Sequence, residues 1–260
     1  RGADENGSWL TVVTTIPLYQ DQFEVLSTKE KVSRALREEG EKILTEIKQI
    51  ADAEHAFIHT KLEEGSPVDT IIDIAEEGNY DLIVMGRRGR SQLEKTVVGS
   101  VTARVIGNSQ RDVLVVPRDA SLGWDTLLLA TDGSKHSRIA TEKTVDLAKA
   151  YSAKILAVSV VDVTEEFYSE APDAVDELVM KAKAYVNNVR EKAETQNIEI
   201  EAMVREGETY KVITDLAKSS GTTLIVMGSH GRTGVRRLLM GSITEKVIGY
   251  APCPVLVVKS

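Results

Sequence analysis

Two segments of this 260-residue chain repeat one spacing of glycine and hydroxyl side chains. The first reads Met85-Gly-Arg-Arg-Gly89, nine residues, then Gly99-Ser100; the second reads Met227-Gly-Ser-His-Gly231, nine residues, then Gly241-Ser242. Both fit Gly-x2-Gly-x9-Gly-Ser, and both follow an apolar run, Leu82 to Met85 and Leu224 to Met227. Glycines directly after a buried strand let the main chain approach a ligand closely. A serine that opens a helix adds a hydroxyl to free N–H groups at the positive end of the helix dipole, which suits a phosphate.

A cradle of this kind needs a strand ending at its first glycine and a helix starting after its last. The chain supplies both twice. Gly65 aligns with Gly207, Asp81 to Met85 with Thr223 to Met227, and Val113 to Val116 with Val255 to Val258, all at a shift of 142 residues. So long a period indicates duplicated domains rather than a solenoid. The expected domains are 1–118 and 123–260, joined by the polar stretch from Pro117 to Gly123.

In the second copy, Thr126 to Ala130 and Lys154 to Val161 read as strands around a helical segment near Ser137 to Tyr151. A long amphipathic helix follows, with Val175, Leu178, Val179, Ala182, Val186, Val189 and Ala193 on one stripe. Strand, helix, strand, helix and strand then run through 199–204, 210–219, 223–227, 242–250 and 255–258. This alternation implies a parallel sheet between layers of helix. In the first copy Ser66 and Pro67 open a helix whose buried face is marked by Val68, Ile71, Ile72 and Ala75. Aligning Leu10 to Ile16 with Ile155 to Val161 places the counterpart of Asp132 before Arg1. The first copy is therefore expected to lack its first strand and most of its first helix in this chain.

With its strand context, glycine spacing, hydroxyl and closing Pro-Val-Leu-Val-Val, the chain resembles the universal stress protein family across nearly its whole length and in both copies. The resemblance implies two tandem Rossmann-like α/β domains, each with a five-stranded parallel sheet of order 3-2-1-4-5. In nucleotide-binding members the glycine pattern holds the phosphates and ribose of ATP. That assigns those roles to Gly228, Gly231, Gly241 and Ser242, with Met227, Ser229 and His230 lining the loop and Ile243 adding a backbone amide. An Asp after the first strand, present here as Ala130-Thr-Asp-Gly-Ser134, gives Asp132 the role of accepting hydrogen bonds from ribose or base. Val160 takes the family's adenine contact. The implied ligand is ATP (or AMP), with Mg²⁺ as an optional companion. Asp132 also has a plainer reading as a helix N-cap, and the two roles are compatible.

The first copy keeps Thr15 at the base-contact position, Gly86, Gly89, Gly99, Ser100 and Val101, but no Asp counterpart. Arg87 and Arg88 replace Ser229 and His230; they can pair with phosphates or fill the pocket. This site is the weaker of the two, and an interaction or regulatory module that does not exchange nucleotide is the alternative reading. Family members dimerise through the last strand, which implies an intramolecular pseudo-dimer through 113–116 and 255–258; a further homodimer, or a role as the soluble part of a larger transporter or kinase, stays open.

No Walker motif and no Gly-x-Ser-x-Gly elbow is present, so catalysis is limited to slow ATP hydrolysis at most. His55 and His59 lie about 13 Å apart if extended, too far to share a metal. Arg232, Arg236 and Arg237 read equally as phosphate neighbours or as a solvated basic loop. With 32 basic against 40 acidic side chains the net charge is −8, which disfavours nucleic acid and anionic membranes as partners. No run reaches the roughly 18 apolar residues of a membrane span and no signal-peptide pattern is seen, so the expected location is the cytoplasm. The lone Cys253, between two prolines, reads as packing.

Overall fold

The computed structural model describes residues 10–17, 26–89, 98–231 and 240–259. These fall into two compact units, Arg1–Glu77 and Gly78–Ser260. The first unit holds strand β1 (Leu10–Ile16), helix α1 (Leu26–Ala53), strand β2 (Ile58–Glu64) and helix α2 (Pro67–Glu77). β1 and β2 pair in parallel from Leu10 opposite Ile58 to Ile16 opposite Glu64. Val68 and Ala75 of α2 are buried, while Ile71 and Ile72 are half-buried.

The second unit begins with β3 (Leu82–Gly86), α3 (Ser100–Asn108) and β4 (Asp112–Val116). It continues through β5 (Thr126–Ala130), α4 (Lys135–Tyr151), β6 (Lys154–Val161), α5 (Glu165–Glu170), α6 (Pro172–Thr195) and β7 (Ile200–Glu206). It closes with α7 (Thr209–Ser219), β8 (Leu224–Gly228), α8 (Ser242–Tyr250) and β9 (Val255–Val258). Its seven strands run in the order β3-β4-β9-β8-β5-β6-β7. The stretch β7-β6-β5-β8-β9 is the expected 3-2-1-4-5 order of the second copy. Every pair in it is parallel.

The first copy has four strands here, as expected for a copy without its first strand. Its four strands divide between the two sheets, β1-β2 in one and β3-β4 at the end of the other. Among the described residues it has no counterpart of β5 and α4, the strand and helix that join the two halves of the second copy.

Leu127, Leu128 and Leu129 of β5 are fully buried, as a central parallel strand requires when helices cover both faces. α4 packs beside α6 and α7 beside α8, so the crossovers change face between β5 and β8. That change of direction opens a crevice at the carboxyl ends of these two strands, where ligands of open α/β sheets sit.

β4 pairs antiparallel with β9, with Val113 opposite Val257, Leu114 opposite Leu256 and Val115 opposite Val255. Three cations among the described residues cross this seam. The Arg87 guanidinium donates to the carbonyls of Gly249 (3.0 Å) and Ala251 at the end of α8. Lys259 donates its ammonium to Ile106 of α3 and its amide to Asp112 Oδ1 at 2.8 Å, while Lys143 pairs with Asp112 Oδ2 at 3.0 Å. Cations at helix carboxyl ends satisfy carbonyls that lack intrahelical donors.

Cys253 is 7% exposed, and burial raises its thiol from 9.0 to about 11. The folded protein therefore holds this proton longer than the unfolded chain. The resulting stability is fully present below pH 9 and lost as pH rises through about 11. Two pH units correspond to roughly 2–3 kcal/mol. Urea titrations at pH 8 and pH 11 should show a fall of that size in the wild type that is missing in Cys253→Ala. Equal falls in both proteins would refute it.

Candidate functional site

β5 ends in the turn Thr131-Asp132-Gly133-Ser134. Asp132 Oδ1 accepts from the amide of Ser134 at 3.0 Å, an Asx turn, and Gly133 sits at φ +74°. Ser134, not Asp132, caps α4: its Oγ accepts from the amide of Ser137 at 3.1 Å. With the cap taken by Ser134, the plainer reading of Asp132 gives way to a side chain turned toward the glycine loop. A Cβ added to Gly231 would meet Asp132 Oδ2 at 2.9 Å.

The loop after β8 is pinned from three sides. Ser229 donates its amide to Val258 O at 3.2 Å, Gly241 donates to Ser229 O at 2.9 Å, and Thr244 Oγ1 donates to Gly228 O at 3.1 Å. α8 then starts at Ser242 with Gly241 as its N-cap residue, and its first return bond is Glu245 N to Gly241 O at 3.0 Å. The amides of Ser242, Ile243 and Thr244 thus belong to the first helical turn, whose donors have no intrahelical acceptor. A Cβ on Gly228 would stand 2.7 Å from His136 Cβ and 2.9 Å from its carbonyl carbon, so this glycine is required by close approach.

Between the turn and the loop lies a cavity of about 370 Å³, within the range of small-molecule sites. Of the sequence-derived residues, Asp132, Val160, Met227, Gly228, His230, Gly231, Gly241, Ser242 and Ile243 line it. Ser229 does not; it is 2% exposed and fastens the loop from behind. His230 Nδ1 lies 3.3 Å from Ser229 Oγ, and its ring centroid lies 5.6 Å from that of His136. Burial, and then His230, hold His136 below its ordinary pKa. Arg232, Arg236 and Arg237 lie outside the described residues.

Several wall residues went unassigned in the sequence. Tyr185, Ala182 and Leu178 of α6 close one side, and the Tyr185 ring approaches so near that a Cβ on Gly133 would overlap it at 2.2 Å. Leu178 and Ala182 belong to the amphipathic stripe, which signalled a buried face without saying what it faced. Asp162 also borders the cavity and accepts from Thr209 N (3.0 Å) and Oγ1 (2.9 Å), capping α7 from a distance.

The loop after β3 has the same internal bonds. Arg87 donates its amide to Val116 O at 3.0 Å, Gly99 donates to Arg87 O at 2.9 Å, and Thr102 Oγ1 donates to Gly86 O at 3.0 Å. Its surroundings differ: the Arg87 side chain is committed to the end of α8 rather than to the loop it came from. Burial, and then Arg88, lower the Arg87 pKa. Gly86, Gly89, Gly99, Ser100 and Val101 gather in this loop and at the start of α3, whereas Thr15 lies on β1 in the other unit.

The model for the universal stress protein family matches residues 2–117 and again 123–259. A universal stress protein of Methanocaldococcus jannaschii is 35% identical over 140 residues, 52% of this chain and 82% of that one. Another from Mycolicibacterium smegmatis is 24% identical over 257 residues, 95% of this chain and 84% of its own. Among solved structures, a universal stress protein from Archaeoglobus fulgidus superposes with a TM-score of 0.69 at 27% identity, covering 96% of this chain and 86% of that one.

Proposed function

The chain belongs to the universal stress protein family, and from that membership we propose that its second copy binds an adenine nucleotide, ATP or AMP, as a cytoplasmic stress-response or signalling protein. The observation that carries the proposal is the cavity at the β5–β8 crevice, with a carboxylate on one wall and a glycine loop and helix start on the other. Phosphate oxygens accept from the amides of Ser242, Ile243 and Thr244 and from the Ser242 hydroxyl; Gly231 and Gly241 let them come close. Asp132 accepts from ribose hydroxyls, and the main chain near Val160 reads the base edge against the apolar wall of Leu178, Ala182 and Tyr185. Mg²⁺, where it takes part, enters with the phosphates; among the described residues no three His, Cys, Asp or Glu side chains gather to hold it. The function is binding, with no bond-breaking step assigned.

The first copy supports a different role. Its loop arginine bonds to the end of α8 and β4 pairs with β9, which supports reading the first copy as an interaction module and the chain as an intramolecular pseudo-dimer through these last strands.

Calorimetric titration of the nucleotide-free protein with ATP, AMP and GTP tests the nucleotide reading. One equivalent of ATP or AMP should bind per chain, and denaturing the protein as purified should release adenine nucleotide. Neither heat nor released nucleotide would overturn it.

A further inference from the structure

The antiparallel pairing of β4 with β9 brings opposite ends of the two copies together. Val115 near the end of β4 faces Val255 at the start of β9, and Gly86 at the end of β3 lies beside Val116. The glycine loop of the first copy therefore begins at the amino end of β9, where the turn from α8 arrives. α8 starts at the other end of that strand, after the glycine loop of the second copy, where Gly228 lies beside Val258. One helix thus has a glycine loop at each end.

Its starting end carries the amides of Ser242, Ile243 and Thr244. Its closing end is held by Arg87, whose guanidinium donates to Gly249 O at 3.0 Å and to Ala251 O. α8 has nine residues, and helices shorter than roughly 12–15 residues are marginal by themselves. Contacts at its ends therefore decide how firmly its first turn is aimed. A cation at the carboxyl end also offsets the negative pole of the helix dipole, so the positive pole at the amino end is less opposed. Burial, and then Arg88, disfavour the charge on Arg87, and the α8 carbonyls offset that cost.

The repeat shows that this arginine is not a requirement of its own loop. The residue matching Arg87 in the second copy is Ser229, which is 2% exposed and fastens its loop without reaching the other copy's helix. The end of α3 is met instead by Lys259, which lies outside the glycine pattern.

We propose that Arg87 of the first copy is a positioning residue for the phosphates of a nucleotide in the second: it fixes the carboxyl end of α8 so that the amides of the first turn stay aimed into the crevice. The proposal rests on the nucleotide reading above and adds to it that the copies are coupled, the first setting how tightly the second holds a phosphate. Arg87 does not line the cavity; it acts through α8.

The test compares ATP with adenosine, which lacks the phosphates, on the full chain. Calorimetry reads ATP, and ligand-detected NMR reads adenosine so that weak binding is measurable. Arg87→Gln should weaken ATP by about fivefold or more and adenosine by less than about twofold, in keeping with an effect exerted at a helix end. Arg87→Lys should recover part of the ATP affinity, because an ammonium still places charge and donors at the α8 carbonyls. Lys143→Ala removes another cation from the seam, one that pairs with Asp112 rather than α8, and should leave both affinities unchanged. Circular dichroism and thermal unfolding of R87Q separate lost positioning from lost folding. Unchanged ATP affinity in folded R87Q overturns the proposal, as does an equal loss for ATP and adenosine or an equal loss in K143A. A wild type that binds neither ligand overturns the nucleotide reading and this proposal together; a wild type that binds both while R87Q keeps their ratio overturns this proposal alone.

Discussion

Asp132→Ala should weaken ATP binding by about 10- to 100-fold, the range given by loss of hydrogen bonds to a charged acceptor. The carboxylate stands at the end of the central strand, and its Oδ2 lies where a Cβ on Gly231 would be 2.9 Å away. Its second oxygen also holds the turn through Ser134 N, so the alanine variant should lose about 1 kcal/mol of stability as well. Asp132→Asn separates the two effects. The amide oxygen can still accept from Ser134 N, so urea midpoints should return to the wild-type value. Affinity should recover only in part, because an amide lacks the charge and replaces one acceptor with a donor. Calorimetry showing unchanged affinity in Asp132→Ala would remove the carboxylate from the site. Full recovery of affinity by asparagine would reduce it to a turn former.

Much of the second copy was readable because its strands are short apolar runs bounded by turn residues. Thr126–Ala130, Lys154–Val161 and Val255–Val258 fall where the sequence placed them, and so does the start of α8 at Ser242. The glycine loop was readable for a related reason: a glycine needed for close approach leaves a mark that spacing preserves. Features set by distant parts of the chain were not. Nothing near Arg87 indicates that its partners are Gly249 and Ala251. Nothing in the α6 stripe tells whether Leu178 faces a sheet or a cavity, since both need the same apolar residue. Asp132 and Ser134 are both good caps two residues apart, and the sequence does not say which reaches the helix; in the fold Ser134 does, with Gly133 at φ +74° between them. One signal went unused: threonine recurs at 102 and 244, and each donates to the carbonyl of the first loop glycine.

The duplicated loop turns one substitution into an internal comparison. Gly228→Ala should destabilise the protein by about 2–3 kcal/mol, as overpacking of a filled site does. It should also abolish measurable ATP binding. Gly86→Ala, at the matching position of the first copy, should cost under about 0.5 kcal/mol and leave ATP binding unchanged. The contrast follows from what each new methyl meets. At Gly228 it meets His136 Cβ at 2.7 Å, the His136 carbonyl carbon at 2.9 Å and its oxygen at 3.1 Å. Two of these atoms are backbone in the first turn of α4, which Ser134 caps, so no change of rotamer relieves the overlap. β8 and α4 must move apart, and the crevice between the Asp132 turn and the loop opens with them. At Gly86 the methyl meets Arg88 O at 3.4 Å, an ordinary contact. The glycine pattern is thus shared and unequal in tolerance: the segment after β5 demands the glycine in one copy, and nothing among the described residues demands it in the other. Urea denaturation of the two variants beside the wild type measures the difference. Equal losses would show that the glycines serve their own loops, and that packing against α4 does not set the requirement at Gly228.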